Sequence, residues 1–77
     1  MIVEVISPSE TMFSGEAVSV SVPGKLGSFT ILNHHAPIVS VLEAGKVVVE
    51  TAEGKEEYDI KGGFIEQHDN KVTICIE

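Results

Sequence analysis

Apolar residues in this chain recur at every second position, and no stretch of helical length carries them at the three- and four-residue spacing of a helix. Successive side chains on an extended strand point to opposite faces, so a period of two means strands with one buried and one solvated side. Val3 and Val5 flank Glu4, and Val18, Val20 and Val22 alternate with Ser19 and Ser21. Tyr58 and Ile60 alternate with Asp59 and Lys61, and Val72, Ile74 and Ile76 with Thr73 and Cys75. Lys46–Glu50 is valine-rich, and Phe29–Leu32, Ile38–Leu42 and Phe64–Ile65 are shorter apolar pieces.

Turn-forming residues separate these pieces: Pro8-Ser9, Pro23-Gly24, Asn33-His34, Ala44-Gly45, Glu53-Gly54, Lys61-Gly62-Gly63 and Asp69-Asn70. Such pairs supply the fixed or positive φ angles that tight connections need. The stretch Val47–Tyr58 reads as a hairpin turning near Glu53-Gly54-Lys55. The pattern predicts an all-β fold: one small antiparallel β-sandwich or flattened barrel of about eight to ten short strands, spanning 1–77 as one domain.

Composition narrows the function. Five Lys plus Arg face 12 Asp plus Glu, for a formal charge of −7, and Arg is absent. Phosphate backbones repel such a chain, and guanidinium–guanine contacts are not possible, so no nucleic-acid partner is expected. One Cys cannot form an internal disulfide. No apolar run approaches the ~18 residues of a membrane span, so no direct membrane insertion is expected. Met1-Ile2-Val3-Glu4-Val5 lacks the basic start of a signal peptide.

Candidate chemistry is sparse. His34-His35 is a poor metal half-site, because adjacent strand residues face opposite ways, and His68 and Cys75 lie far along the chain. Cys75 has no nearby base motif. Glu53–Glu57 lacks calcium-loop spacing and reads as a solvated hairpin tip. Pro23–Ser28 has glycines and Lys25 but no G-x-x-x-x-G-K-[ST] pattern and no following helix. Phe29, just beyond it, is either a core plug or a docking residue. Neither a metal nor another cofactor is expected, and the residues point to a binding or assembly part rather than an enzyme.

The order of the pieces carries a resemblance. It runs through Ser7-Pro8, Met12-Phe13-Ser14-Gly15-Glu16-Ala17, Gly27–Leu32, His35-Ala36-Pro37, Leu42–Val49, Gly62-Gly63-Phe64-Ile65-Glu66 and Asn70-Lys71-Val72-Thr73. The chain closely resembles, over essentially its whole length, the N-terminal β-sandwich of the epsilon subunit of F-type ATP synthases, called delta in mitochondria. The resemblance implies a non-catalytic subunit of the central stalk, which couples proton-driven rotation to ATP synthesis. It implies two partners, the gamma subunit and the c-subunit ring, and a peripheral position on the cytoplasmic face of the bacterial inner membrane. By residue, it implies gamma contacts at Ser7, His35, Pro37 and Ser40, and c-ring contacts at Gly27, Ser28 and Phe29.

Two local departures fall beside that ring-facing loop. Gly27-Ser28-Phe29-Thr30 stands where the family often has Gly-x-Leu-Gly, and Asn33-His34 where Pro-Gly is common. The family position of Ser28 is often acidic, so Phe29 gains weight as an apolar contact, and Phe29→Asp is expected to weaken docking while sparing the fold. The two-helix C-terminal half common in the family, which can inhibit ATP hydrolysis and in some members bind ATP, is absent from this sequence. The alternative reading is a small carrier domain of the lipoyl type. It requires an exposed Lys at a hairpin tip, usually after Asp; Lys55 follows Gly54 and precedes Glu56-Glu57.

Overall fold

A computed structural model describes residues 1–77 and contains strands only. The strands are β1 (Ile2–Ile6), β2 (Thr11–Glu16), β3 (Ser19–Val22), β4 (Phe29–Leu32), β5 (Ile38–Leu42), β6 (Gly45–Thr51), β7 (Gly54–Ile60), β8 (Gly63–His68) and β9 (Lys71–Ile76). Five strands form one sheet in the order β2-β1-β9-β8-β5, and four form the other in the order β4-β3-β6-β7. The predicted all-β sandwich is therefore present. One pairing departs from the antiparallel rule: β1 and β9 run parallel, because the chain returns after a full circuit to lay its last strand beside its first.

The alternating residues form the core. Val3, Val5, Ile65, Val72 and Ile74 from the five-stranded sheet meet Val20, Val22, Ile31, Val47 and Val49 from the other, and all are buried. Burying a Val or Ile side chain contributes about 1.5–3 kcal/mol, so this layer supplies most of the folding drive. Phe13, Phe29, Ile38 and Tyr58 cap it at the margins.

Turn chemistry fixes the register. Asp69 (φ 51°) and Asn70 (φ 61°) form the two-residue link between His68 and Lys71, with both angles positive as a type I′ hairpin demands. In the predicted Val47–Tyr58 hairpin those two residues are cross-strand partners. Its tip is Ala52-Glu53, with Thr51 opposite Gly54; the positive φ of 133° falls on Gly54, where no Cβ opposes it.

The connections divide between two ends. At one end lie Ser7–Glu10, the 23–28 loop, Glu43-Ala44 and Lys61-Gly62. There Gly24 bridges Leu42, the Lys25 N–H donates to Val41 (3.0 Å), and the Glu43 N–H donates to Pro23 (2.8 Å). At the other end Asn33, His34, Asn70 and Met1 are knit together. The Met1 ammonium donates to Asn33 Oδ1 (2.7 Å) and to the Ala17 carbonyl (3.2 Å), and the His34 N–H donates to Asn70 Oδ1 (2.8 Å).

Candidate docking surfaces

The two sheets present different outer faces. On the four-stranded sheet most outward polar residues satisfy one another, and Leu32 stands exposed among them. Ser21 and Thr30 share a hydrogen bond (2.8 Å), Ser19 donates to Glu50 (3.2 Å), and Lys46 lies 3.2 Å from Glu57 and 3.9 Å from Asp59. The hydrogen bond and charge of Glu57, with the charge of Asp59, raise the Lys46 pKa above the usual lysine value. All three groups are well exposed, so the cluster marks a solvated face and adds little stability.

The five-stranded sheet is different. Its register aligns Ile6, Cys75, Phe64 and Val41 in one row across four strands, with Val39 beside Val41 on β5. Phe64 is 48% exposed, Val41 57% and Val39 72%. The next row is Glu4, Thr73, Glu66 and Val39, and the last is Ile2, Lys71 and His68. An apolar row with a charged margin has the makeup of an interface core and rim.

The sequence-predicted residues fall around this sheet but not in one cluster. Ser7 lies past the end of β1, where its hydroxyl donates to the Glu10 carbonyl and accepts the Glu10 N–H, both at 3.2 Å. His35 and Pro37 lie at the opposite end, in the loop that leads into β5. The His35 N–H donates to Leu32 (3.2 Å), and its Nδ1 is 2.6 Å from the Ala36 carbonyl. Ser40 is in mid-β5 opposite Ile65, with its hydroxyl 3.3 Å from the Val41 carbonyl. His35, Pro37 and Ser40 thus follow one edge, whereas Ser7 is three strands across, roughly 14 Å at ~4.8 Å per strand. Phe64, Val39 and Val41 escaped the sequence reading. The available signal was that β5 carries apolar residues on both faces, more than a half-buried strand requires, and that Phe64 is adjacent to Ile65 in β8.

Gly27, Ser28 and Phe29 belong to the 23–28 loop and the start of β4, at the same end as Ser7. Phe29 is half-buried and packs on the core and on Gly24, where an added Cβ would stand 2.7 Å from its ring. Phe29 therefore supports the loop from beneath, and Phe29→Asp is expected to cost stability as well. The apolar side chain this loop offers to solvent is Leu26, fully exposed beside Lys25.

The histidines and Cys75 stay apart chemically: no three His, Cys, Asp or Glu side chains converge on a common point. His68 Nδ1 lies 3.2 Å from Asp69, on the surface. Lys55 lies within β7 opposite Glu50, not at the hairpin tip, so the lipoyl-type alternative loses its acceptor position.

The pattern of the ATP synthase delta/epsilon chain beta-sandwich domain matches residues 1–77, without a gap at either end. The chain belongs to that family. Curated relatives agree. The ATP synthase epsilon chain of Leptospira borgpetersenii is 43% identical over 75 residues, covering 97% of this chain and 59% of the relative. That of Chlorobium limicola is 37% identical over 75 residues, covering 96% and 85%. The chain thus spans about three-fifths of the Leptospira relative's length.

Solved structures place the same fold in rotary assemblies. A chain of the Euglena gracilis mitochondrial ATP synthase, resolved with OSCP, F1 and the c-ring, superposes with a TM-score of 0.91 at 26% identity. The match covers 99% of this chain and 49% of that one. A chain from the Tetrahymena thermophila central stalk and c-ring superposes at 0.84, with 17% identity and 97% and 61% coverage, which shows the shared fold.

Proposed function

We propose that the protein is a rotor part of an F-type ATP synthase, seated in the central stalk between the gamma subunit and the c-ring. It makes and breaks no bond; it transmits torque while proton-driven rotation is coupled to ATP synthesis. Its place is peripheral, on the cytoplasmic face of the bacterial inner membrane. A packed sandwich suits this task because its interior resists compression and passes strain on.

The observation that carries the reading is the unequal pair of faces: one mostly polar, with a single strongly exposed aliphatic residue, Leu32, the other crossed by a contiguous row of Ile6, Cys75, Phe64 and Val41 with Val39 beside it. The apolar face is assigned to the gamma subunit, with His35, Pro37 and Ser40 along its β5 margin and Ser7 at its far corner. The loop end is assigned to the c-ring, with Lys25 and Leu26 leading and Gly27 and Ser28 behind them. Phe29 holds this loop from below. Acidic side chains around the body favour correct approach to basic partners more than they add affinity.

Hydrogen exchange on the complex with the gamma subunit tests the assignment. Protection of β5 and β8, in a one-to-one complex at micromolar concentration, is the expected result. Absence of a complex, or protection confined to β4, β3 and β6, contradicts it.

A further inference from the structure

The side of the sandwich opposite β5 is open. There β2 and β7, the outermost strands of the two sheets, stand side by side, and the Tyr58 hydroxyl crosses between them to the Met12 carbonyl (3.3 Å). Beside this crossing runs a groove of about 530 Å³, lined by β2 on one wall and the β6–β7 hairpin on the other.

Three observations converge on this groove. First, β2 has a free backbone edge. The Ala17 N–H donates to Met1, and Phe13 and Gly15 are partners of Val5 and Val3, so alternation turns the backbone groups of Ser14 and Glu16 away from β1. Unpaired strand edges accept a further strand.

Second, the fold gives no reason for glycine at position 15. Its φ lies outside the positive region, and an added Cβ would meet only a Phe13 ring carbon, at an ordinary 3.9 Å. Glycine inside a strand often marks the close approach of another backbone. Third, the walls are acidic: Glu53 and Glu56, with Glu16 whose carboxylate also lies 3.4 Å from the Met1 ammonium, against Lys55.

We propose that the edge of β2 at Ser14–Glu16 takes a partner's extended segment by strand addition, and that this segment alternates apolar and basic residues. Its backbone pairs with Ser14 and Glu16. Its apolar side chain enters the space above Gly15 and Phe13, and its basic side chains face Glu16, Glu53 and Glu56. The site lies across the molecule from β5 and does not depend on the docking assigned to the apolar face.

The test is a nitrogen-15 NMR titration of the chain with an acetylated, amidated Lys-Val-Lys-Val-Lys peptide. Saturable shifts at Ser14–Glu16 and across Thr51–Glu56 are expected. The same peptide with methylated backbone nitrogens keeps its charge but loses its donors, and should not bind; equal binding overturns strand addition. Gly15→Val should weaken binding about tenfold at an almost unchanged melting temperature; undiminished affinity overturns the proposal. If Gly15→Val fails to fold, Glu53→Lys with Glu56→Lys replaces it, with the same loss expected and the same contradiction. No shift at millimolar peptide overturns the proposal. Concentration-dependent shifts of these amides without peptide also overturn it, in favour of a second copy of the chain.

Discussion

At the residue scale, one side chain breaks the apolar core. Gln67 on β8 is 2% exposed, points inward between Ile38 and Val72, and leaves its Oε1 without a partner. An unsatisfied buried acceptor costs about 1–3 kcal/mol. Gln67→Met, similar in shape and apolar, should therefore raise stability by about 1 kcal/mol and the melting temperature by roughly 4–8 °C. A lower melting temperature in calorimetry would mean that the amide has a partner after all. The sequence reading found only Phe64–Ile65 as an apolar piece here and gave no sign that Gln67 lies inside, because a polar residue at an inward position breaks the alternation.

Tyr58 offers a second test at this scale. Partial burial against the core, with a smaller contribution from the charge of Glu56, raises its pKa above the ordinary phenol value near 10. The folded state therefore holds this proton more tightly than the unfolded chain. The stabilisation is complete below pH ~10 and is lost as pH rises through the folded-state pKa. Tyr58 is the only Tyr and there is no Trp, so its phenolate absorbance reports it alone. Titration should give a midpoint above that of the unfolded chain in denaturant; an equal or lower midpoint contradicts the burial. Tyr58→Phe should cost about 0.5–1 kcal/mol at neutral pH, through the lost bond to Met12.

At the scale of elements, alternation revealed β1, β3, β9 and the end of β7, short apolar runs marked β4, β5, β6 and the start of β8, and the turn residues fell between them. It missed β2. Thr11-Met12-Phe13-Ser14-Gly15-Glu16 is mostly exposed, carries an irregularity at Met12 and buries only part of Phe13, so no period could form. An edge strand without a buried face leaves no hydrophobic trace in the sequence.

The turns carry their own tests. Gly63 has a φ of 148°, and any Cβ there would collide with the Cys75 carbonyl. Gly63→Ala should cost at least about 2 kcal/mol, seen as a melting temperature roughly 10 °C lower. Phe29→Asp, now read as removing a plug and placing a charge at the core's margin, should cost about 2–3 kcal/mol. Leu26→Asp should leave the melting temperature unchanged and weaken attachment to the c-ring. Equal attachment of wild type and Leu26→Asp in a membrane-binding assay would remove the loop tip from that contact.

At the scale of the whole molecule, the sandwich separates its tasks. It measures 26 × 24 × 18 Å, with a polar face, an apolar face and two loop-bearing ends. The order of short motifs, spread over both strands and turns of the whole chain, made the family legible. The docking surface was less legible. Cys75, Phe64 and Val41 are far apart in sequence and become one row only through the β9-β8-β5 register. Family positions carried over singly, such as Ser7 and His35, fell at opposite ends for the same reason.

The central claim is that this apolar row is what the rotor shaft holds, and the affinity of the purified gamma subunit for the chain tests it. Phe64→Asp combined with Val41→Asp should lower that affinity about a hundredfold or more, while Leu32→Asp on the opposite face leaves it unchanged. Unchanged binding by the folded double variant, or a loss confined to Leu32→Asp, would contradict the account.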